Sequence, residues 1–206
     1  MQARSGEDSI QSGELRLAVI AGCNAASTRV QLGCNSRSNT GNANTRTMSH
    51  SNIQLIERFY TAFQRRDADT MIACYADDVV FSDPAFGELH GDEVRDMWRM
   101  LVTRAQDFSL TFDSIEADEH SGRAHWTAGY VFSQTGRPVV NQIDARFAFR
   151  DGLIVEHRDS FDLWAWMRQA LGARGALLGW SPLVHRSIRS RARRGLALYR
   201  RQDHNT

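Results

Sequence analysis

Between Phe108 and Phe161 the chain alternates apolar with polar residues in four successive runs, a period of two that suits a sheet and not a helix. Phe108, Leu110 and Phe112 make the first run; Trp126, Ala128, Tyr130 and Phe132 make the second, after Ser121-Gly122. Gly136 turns into the third, where Val139, Asn141, Ile143, Ala145, Phe147 and Phe149 share one face. Asp151-Gly152 signals a tight hairpin into the last run, Leu153 to Phe161. The residues ahead of this meander repeat at helical spacing instead. Ile53, Ile56, Phe59, Tyr60 and Phe63 mark a first helix closed by Arg65-Arg66-Asp67. Asp67 or Asp69 can cap a second, short helix carrying Met71, Ile72 and Tyr75. A brief strand, Val79 to Phe81, leads into a loop around Asp83, and a third helix after Gly91-Asp92 places Val94, Met97, Trp98, Leu101 and Ala105 on one face. Helices first and an antiparallel meander second predict an α+β fold, with the helices covering one face of a curved sheet.

The flanks read differently. Residues 1–50 are rich in Ser, Asn, Gly and Thr without periodicity, and we expect disorder there, because too little apolar surface offsets the ordering entropy. Met48, just before the first helix, is a candidate translation start. Residues 51–171 hold the folded domain. Residues 172–206 form an arginine-rich tail with an apolar stripe of Leu183, Val184, Ile188, Ala192, Leu196 and Tyr199. Such a helix packs on its own domain or on a second subunit, with a weak membrane-surface contact as the alternative. The basic residues are all arginines, yet the net charge is +1, and the domain lacks a basic face interleaved with stacking aromatics, so nucleic acid is not expected as a partner. Ile20-Ala21-Gly22-Cys23 looks like a lipoprotein box, but its apolar run is short and Glu7, Asp8 and Glu14 stand where positive charge belongs. Cys23, Cys34 and Cys74 are odd in number and show no metal-ligand spacing; Cys74 reads as a core residue, and a reducing cytoplasm is the expected setting. No run is long enough to span a membrane.

Chemistry concentrates at two places. Phe81-Ser82-Asp83-Pro84-Ala85-Phe86-Gly87 sets a carboxylate just past an apolar strand, and Val155, His157, Asp159 and Phe161 share one face of the last run. A carboxylate on an apolar face must be neutralised, paired or used. Asp83, Asp159 and His157 are therefore the candidate acid–base groups. The competing structural reading makes Asp83 a turn residue bonding nearby backbone N–H groups, and His157–Asp159 a satisfied pair tying the last strand down. Asn141 could donate to a carbonyl oxygen or make a structural hydrogen bond. Trp98, Trp126, Tyr130 and Phe86 read as core, or at most as pocket wall. Asp77 and Asp78 are expected at a helix end. His90, in the loop before the third helix, and His125 stand without further ligands, so no metal site is expected.

The order helix–helix–strand–Asp-Pro loop–helix–four-strand meander resembles the ketosteroid isomerase, SnoaL-like polyketide cyclase and nuclear transport factor 2 superfamily, over roughly residues 52–165. Tyr75-Ala76-Asp77-Asp78 followed by Phe81-Ser82-Asp83-Pro84 is similar to the isomerase segment whose aspartate is the general base. Asp151 to Asp159 resembles the last-strand pattern of SnoaL-like cyclases. The resemblance implies a cone-shaped curved antiparallel sheet wrapped around a helical layer (a cystatin-like α+β roll), a homodimer, and cofactor-independent isomerase- or cyclase-type proton transfer on a hydrophobic small carbonyl compound. It also marks departures. The isomerase tyrosine falls on Phe59, with Tyr60 one residue away as a stand-in donor, and the second oxyanion donor falls near Asp144 and Ala145. That leaves steroid isomerisation disfavoured. An epoxide hydrolase would use paired carboxylates on water, but its Asp-Arg-Asp order is not evident. A non-catalytic lipophilic-ligand carrier or dimeric interaction module is the alternative from another class.

Overall fold

Helix α1 (Ala43–Gln64) turns Ile56, Phe59, Tyr60 and Phe63 into the core, as their spacing dictates, and begins ten residues before Ile53. The computed structural model describes residues 17–18, 43–104, 108–132 and 135–203. Most of the expected disorder over 1–50, the Cys23 box and Cys34 thus lie outside the described residues, whereas Met48 falls inside α1. Asn52, fully buried in α1, donates from its side-chain amide to the carbonyls of Asp118 and Glu119, fixing the helix against a strand turn.

Asp67 caps α2 (Ala68–Ile72) by accepting from the Thr70 N–H. The chain then leaves helical geometry sooner than the periodicity suggests. Tyr75, expected on the second helix, instead opens a nine-residue strand, because the Ile154 N–H bonds the Cys74 carbonyl and draws the segment onto the sheet. With a two-residue strand β1 (Leu17–Ala18) upstream, this strand is β2 (Tyr75–Asp83). Asp77 and Asp78 lie on it and pair with Arg95 and Arg150, not with a helix end. A tight turn folds β3 (Gly87–His90) back on β2, so His90 sits in a strand where a loop was expected. Helix α3 (Asp92–Arg104) follows, burying Val94, Met97 and Trp98. Four long strands complete the sheet: β4 (Ser109–Ala117), β5 (Ser121–Phe132), β6 (Arg137–Arg150) and β7 (Leu153–Ser160).

The sheet runs β1-β5-β6-β7-β2-β3, with β4 sharing the edge of β5 with β1, and it is open, not closed into a barrel. All pairings are antiparallel except β2 on β7, which makes the sheet mixed. That parallel joint sets Phe81 beside His157, while β6 sets Phe147 beside His157 and Ala145 beside Asp159. Period-two alternation then puts Phe81, Asp83, His157, Asp159, Ile143 and Trp126 on the one face that α1 and α3 cover. The chain is α+β, as its pattern implies.

Beyond β7, Asp162 caps α4 (Leu163–Leu171), and α5 (Ala173–Leu178) precedes a long α6 (Pro182–Asp203). Helix α6 packs back on the domain. Leu196 is buried in the main core with Ala192 and Tyr199 against it, the Arg193 side chain donates to the carbonyls of Phe86 and Glu88, and Arg200 pairs with Asp96 at 2.9 Å. Among the described residues no helix is long and apolar enough to cross a membrane.

Candidate active site

Helix α3, the inner face of the sheet and the underside of α6 enclose a cavity of about 240 Å³. Its wall is mostly apolar, built from Phe81, Met97, Trp98, Ile143 and Phe161 among others, and Asp83 and Asp159 both reach it. The sequence alone places these two acids seventy-six positions apart; the parallel β2–β7 joint is what brings their strands side by side.

Asp159 ends a chain of buried polar groups. The Trp98 indole N–H donates to the Tyr75 hydroxyl at 3.1 Å, and that hydroxyl lies 2.6 Å from His157 Nδ1. His157 Nε2 lies 3.1 Å from Asp159 Oδ1, which also accepts from the Trp126 indole at 3.3 Å. One assignment satisfies every member with a neutral imidazole: Tyr75 donates to Nδ1, and Nε2–H donates to the carboxylate. All four protons then point toward Asp159. His157 is fully buried, stacked near Trp98 and edge-on to Phe59 and Phe81, so it stands behind Asp159 and does not line the cavity. It holds the carboxylate in place.

Asp83 has no cationic partner among the described residues. Burial pushes its carboxyl up to about 7; the Phe86 N–H, to which it is hydrogen-bonded, pulls the other way, and the nearby negative charge of Asp159 raises it further. The turn reading of Asp83 describes its hydrogen bond, and the same side chain reaches the cavity. It organises its own turn through Oδ1, and it presents an acid of near-neutral strength to the cavity.

Asn141, Trp98, Trp126 and Phe86 also line the cavity. Tyr60 does not. Its ring is fully buried against Phe112, Trp126 and Phe147, and its hydroxyl has no hydrogen-bond partner. Burial raises that phenol well above its usual range. Three contributors were missed from the sequence. Tyr75 was hidden by its helical spacing with Met71. Tyr130, read as core or at most pocket wall, was missed as a polar group: it lines the cavity and accepts from the Trp166 indole at 2.5 Å, which leaves its own O–H proton to donate. Burial raises the Tyr130 phenol to about 12. The third is the α6 face (Ile188, Arg191, Ala192, Gly195), which forms part of the wall; only the apolar stripe hinted at packing, not at this placement. Among the described residues no cluster of His, Cys, Asp and Glu could hold a metal ion.

Residues 56–157 match the family model of a SnoaL-like domain. No curated protein matches the chain. Among solved structures, an LEH-like epoxide hydrolase from M. tuberculosis is 25% identical, with 65% of this chain and 98% of that one aligned at a TM-score of 0.51. A nuclear transport factor 2-like protein of unknown function from Burkholderia pseudomallei is 26% identical over 58% and 96% of the two chains, with a TM-score of 0.52. A provisionally assigned polyketide cyclase from Xanthomonas campestris, 22% identical over 59% and 98% at a TM-score of 0.51, bears on the fold alone.

Proposed function

Since this chain belongs to the SnoaL-like proteins of the nuclear transport factor 2-like superfamily, we propose that its cavity catalyses cofactor-independent proton transfer on a hydrophobic small carbonyl compound. The observation that carries the proposal is the convergence of two carboxyl groups, one of near-neutral acidity, on a mostly apolar cavity. A base serves best when its pKa lies close to the working pH, because it can then both take and return a proton. Asp83 in its ionised form removes a proton from the carbon next to the carbonyl, and the electron pair moves toward the carbonyl oxygen. Asn141 and the Tyr130 O–H are neutral donors on the wall that can stabilise the resulting enolate. Protonated Asp83 then returns the proton to the conjugated neighbour, which completes an isomerase-type step. In a cyclase-type step the enolate carbon bonds instead to a second carbonyl carbon of the substrate, whose C=O π bond breaks, and Asp83 gives its proton to the alkoxide formed. Asp159, its orientation set by His157 and Trp126, faces the substrate from the adjoining strand β7.

The test is solvent deuterium exchange into a panel of ketones and conjugated esters, followed by mass spectrometry. Wild-type protein should accelerate exchange into at least one apolar member, and Asp83→Asn should lower that rate by about 10²–10⁴ with the fold intact. If the panel shows no exchange above buffer, the proposal is wrong.

A second reading has its own support, the 25% identity with the epoxide hydrolase. There Asp159 would activate water while Asp83, protonated in part at neutral pH, would protonate the epoxide oxygen. Oxygen-18 incorporation from labelled water into a diol distinguishes it from carbon-bound proton exchange. A lipophilic-ligand carrier remains the non-catalytic alternative, supported by the hold of the Phe86 N–H on Asp83. It would bind apolar probes equally well in wild type and Asp83→Asn, with no turnover in either.

A further inference from the structure

Charge is divided unequally along this chain. Residues 51–162 carry twenty carboxylates against eleven arginines, whereas residues 163–206 carry nine arginines against one aspartate. Arg200 reaches Asp96 and Glu93, Arg193 is bonded to backbone carbonyls, and Arg168 lies over the Trp164 ring. Arg174, Arg186, Arg189, Arg191 and Arg194 are exposed and make no ion pair among the described residues.

Apolar exposure falls in the same place. Six large apolar side chains are exposed among the described residues, and four of them, Trp164, Leu177, Trp180 and Leu183, lie where α4, α5 and α6 meet. Leu177, Trp180 and Leu183 are each 73% exposed, and the Trp180 indole is bonded to the Leu177 carbonyl, which places the two together at the tip of the turn. A surface groove joins Trp164 and Trp180 to His185 and Arg189. An exposed Trp–Leu tip, with Arg189 in its groove and further guanidinium groups without ion pairs along α5 and α6, is the pattern of an interfacial segment: the apolar groups enter the acyl boundary and the cations meet anionic headgroups.

We infer that the α5–α6 turn docks this protein on a bilayer surface rich in anionic phospholipid, with Leu177, Trp180 and Leu183 inserted. A second copy of the chain fits the same tip less well, since an isologous contact would press two such basic units together. A consequence follows for the cavity. Helix α6 carries Leu183 at its start and the cavity-lining Ile188, Arg191, Ala192 and Gly195 in its next three turns. Docking therefore holds that wall close to the lipid in which an apolar compound dissolves. The inference stands on surface residues and is independent of the chemistry proposed for the cavity.

The full chain is sedimented with phosphatidylcholine vesicles, with and without phosphatidylglycerol, at low and high salt. Binding should require phosphatidylglycerol, fall as salt rises, and drop at least about tenfold in Leu177→Ser/Trp180→Ser/Leu183→Ser and in Arg174→Gln/Arg186→Gln/Arg194→Gln. Unaltered melting of both variants shows that they fold, and bromolipid quenching of tryptophan reports insertion. No association with phosphatidylglycerol vesicles at low salt overturns the inference. So does full binding by the serine variant, which would leave a nonspecific attraction for polyanions. Conversion of a dimer to a monomer by that variant, without vesicle binding by the wild type, would assign the tip to a second copy and overturn it equally.

Discussion

Because burial raises the folded Asp83 carboxyl to about 7, while an unfolded chain titrates it near about 3.9, the folded protein holds this proton the more tightly. Stability from it is fully present below about pH 4 and is lost as the pH rises through about 7. Thermal melting of the wild type should decline along that limb, and Asp83→Asn should flatten it. The asparagine can still accept the Phe86 N–H, so the variants should match at pH 4 and differ at pH 8 by about 2 kcal/mol in favour of asparagine, with allowance for partial exposure. A wild-type curve parallel to that of Asp83→Asn would refute the burial argument. Tyr75 and Tyr60 give an opposed pair. Removing the Tyr75 hydroxyl leaves the Trp98 indole and one imidazole nitrogen buried without partners, so Tyr75→Phe should cost about 2 kcal/mol or more. It should also alter the pH–rate profile, since His157 loses the bond that fixes its tautomer. The Tyr60 hydroxyl is already orphaned, so Tyr60→Phe should leave stability unchanged or raise it. Retained turnover in that variant, measured by exchange, would remove Tyr60 from the list of substrate donors.

At the scale of elements, α6 acts as both cover and clamp. Leu196 sits in the main core, and Leu196→Ala should cost about 2–4 kcal/mol by denaturant titration. Arg193→Ala releases the carbonyls of Phe86 and Glu88, next to the Asp83 turn, and should loosen that turn with a smaller loss, visible as faster amide exchange at Phe86. The meander was legible because strand alternation and hairpin residues are local signals: Asp151 and Gly152 both take positive φ, as the turn there demands. The β2 strand was read short, since Tyr75 to Asp78 carry no alternating pattern and are held by a partner strand far along the chain. Asp83, Asp159, Asn141 and the aromatic wall could be found because polar residues interrupted apolar faces. The rank of His157 could not, because only a fold tells which of two neighbours on one face stands in front. The role of α6 was equally hidden: an apolar stripe announces packing, but not against what.

Over the whole molecule, the site is assembled from groups that are far apart in sequence, with Tyr75 and His157 separated by 82 residues. The segments from β4 to β6 lie between them and can pair with one another through local hairpins. The parallel joint cannot form that way, for β7 must be complete before β2 gains its second neighbour beside β3. On a ribosome the first two-thirds of the domain would therefore emerge with Phe81 and Asp83 lacking their final lateral support, exposed to solvent or to chaperones. The two acids would come together abruptly and late in synthesis, as the last strand clears the exit tunnel and closes a long loop in the nascent chain.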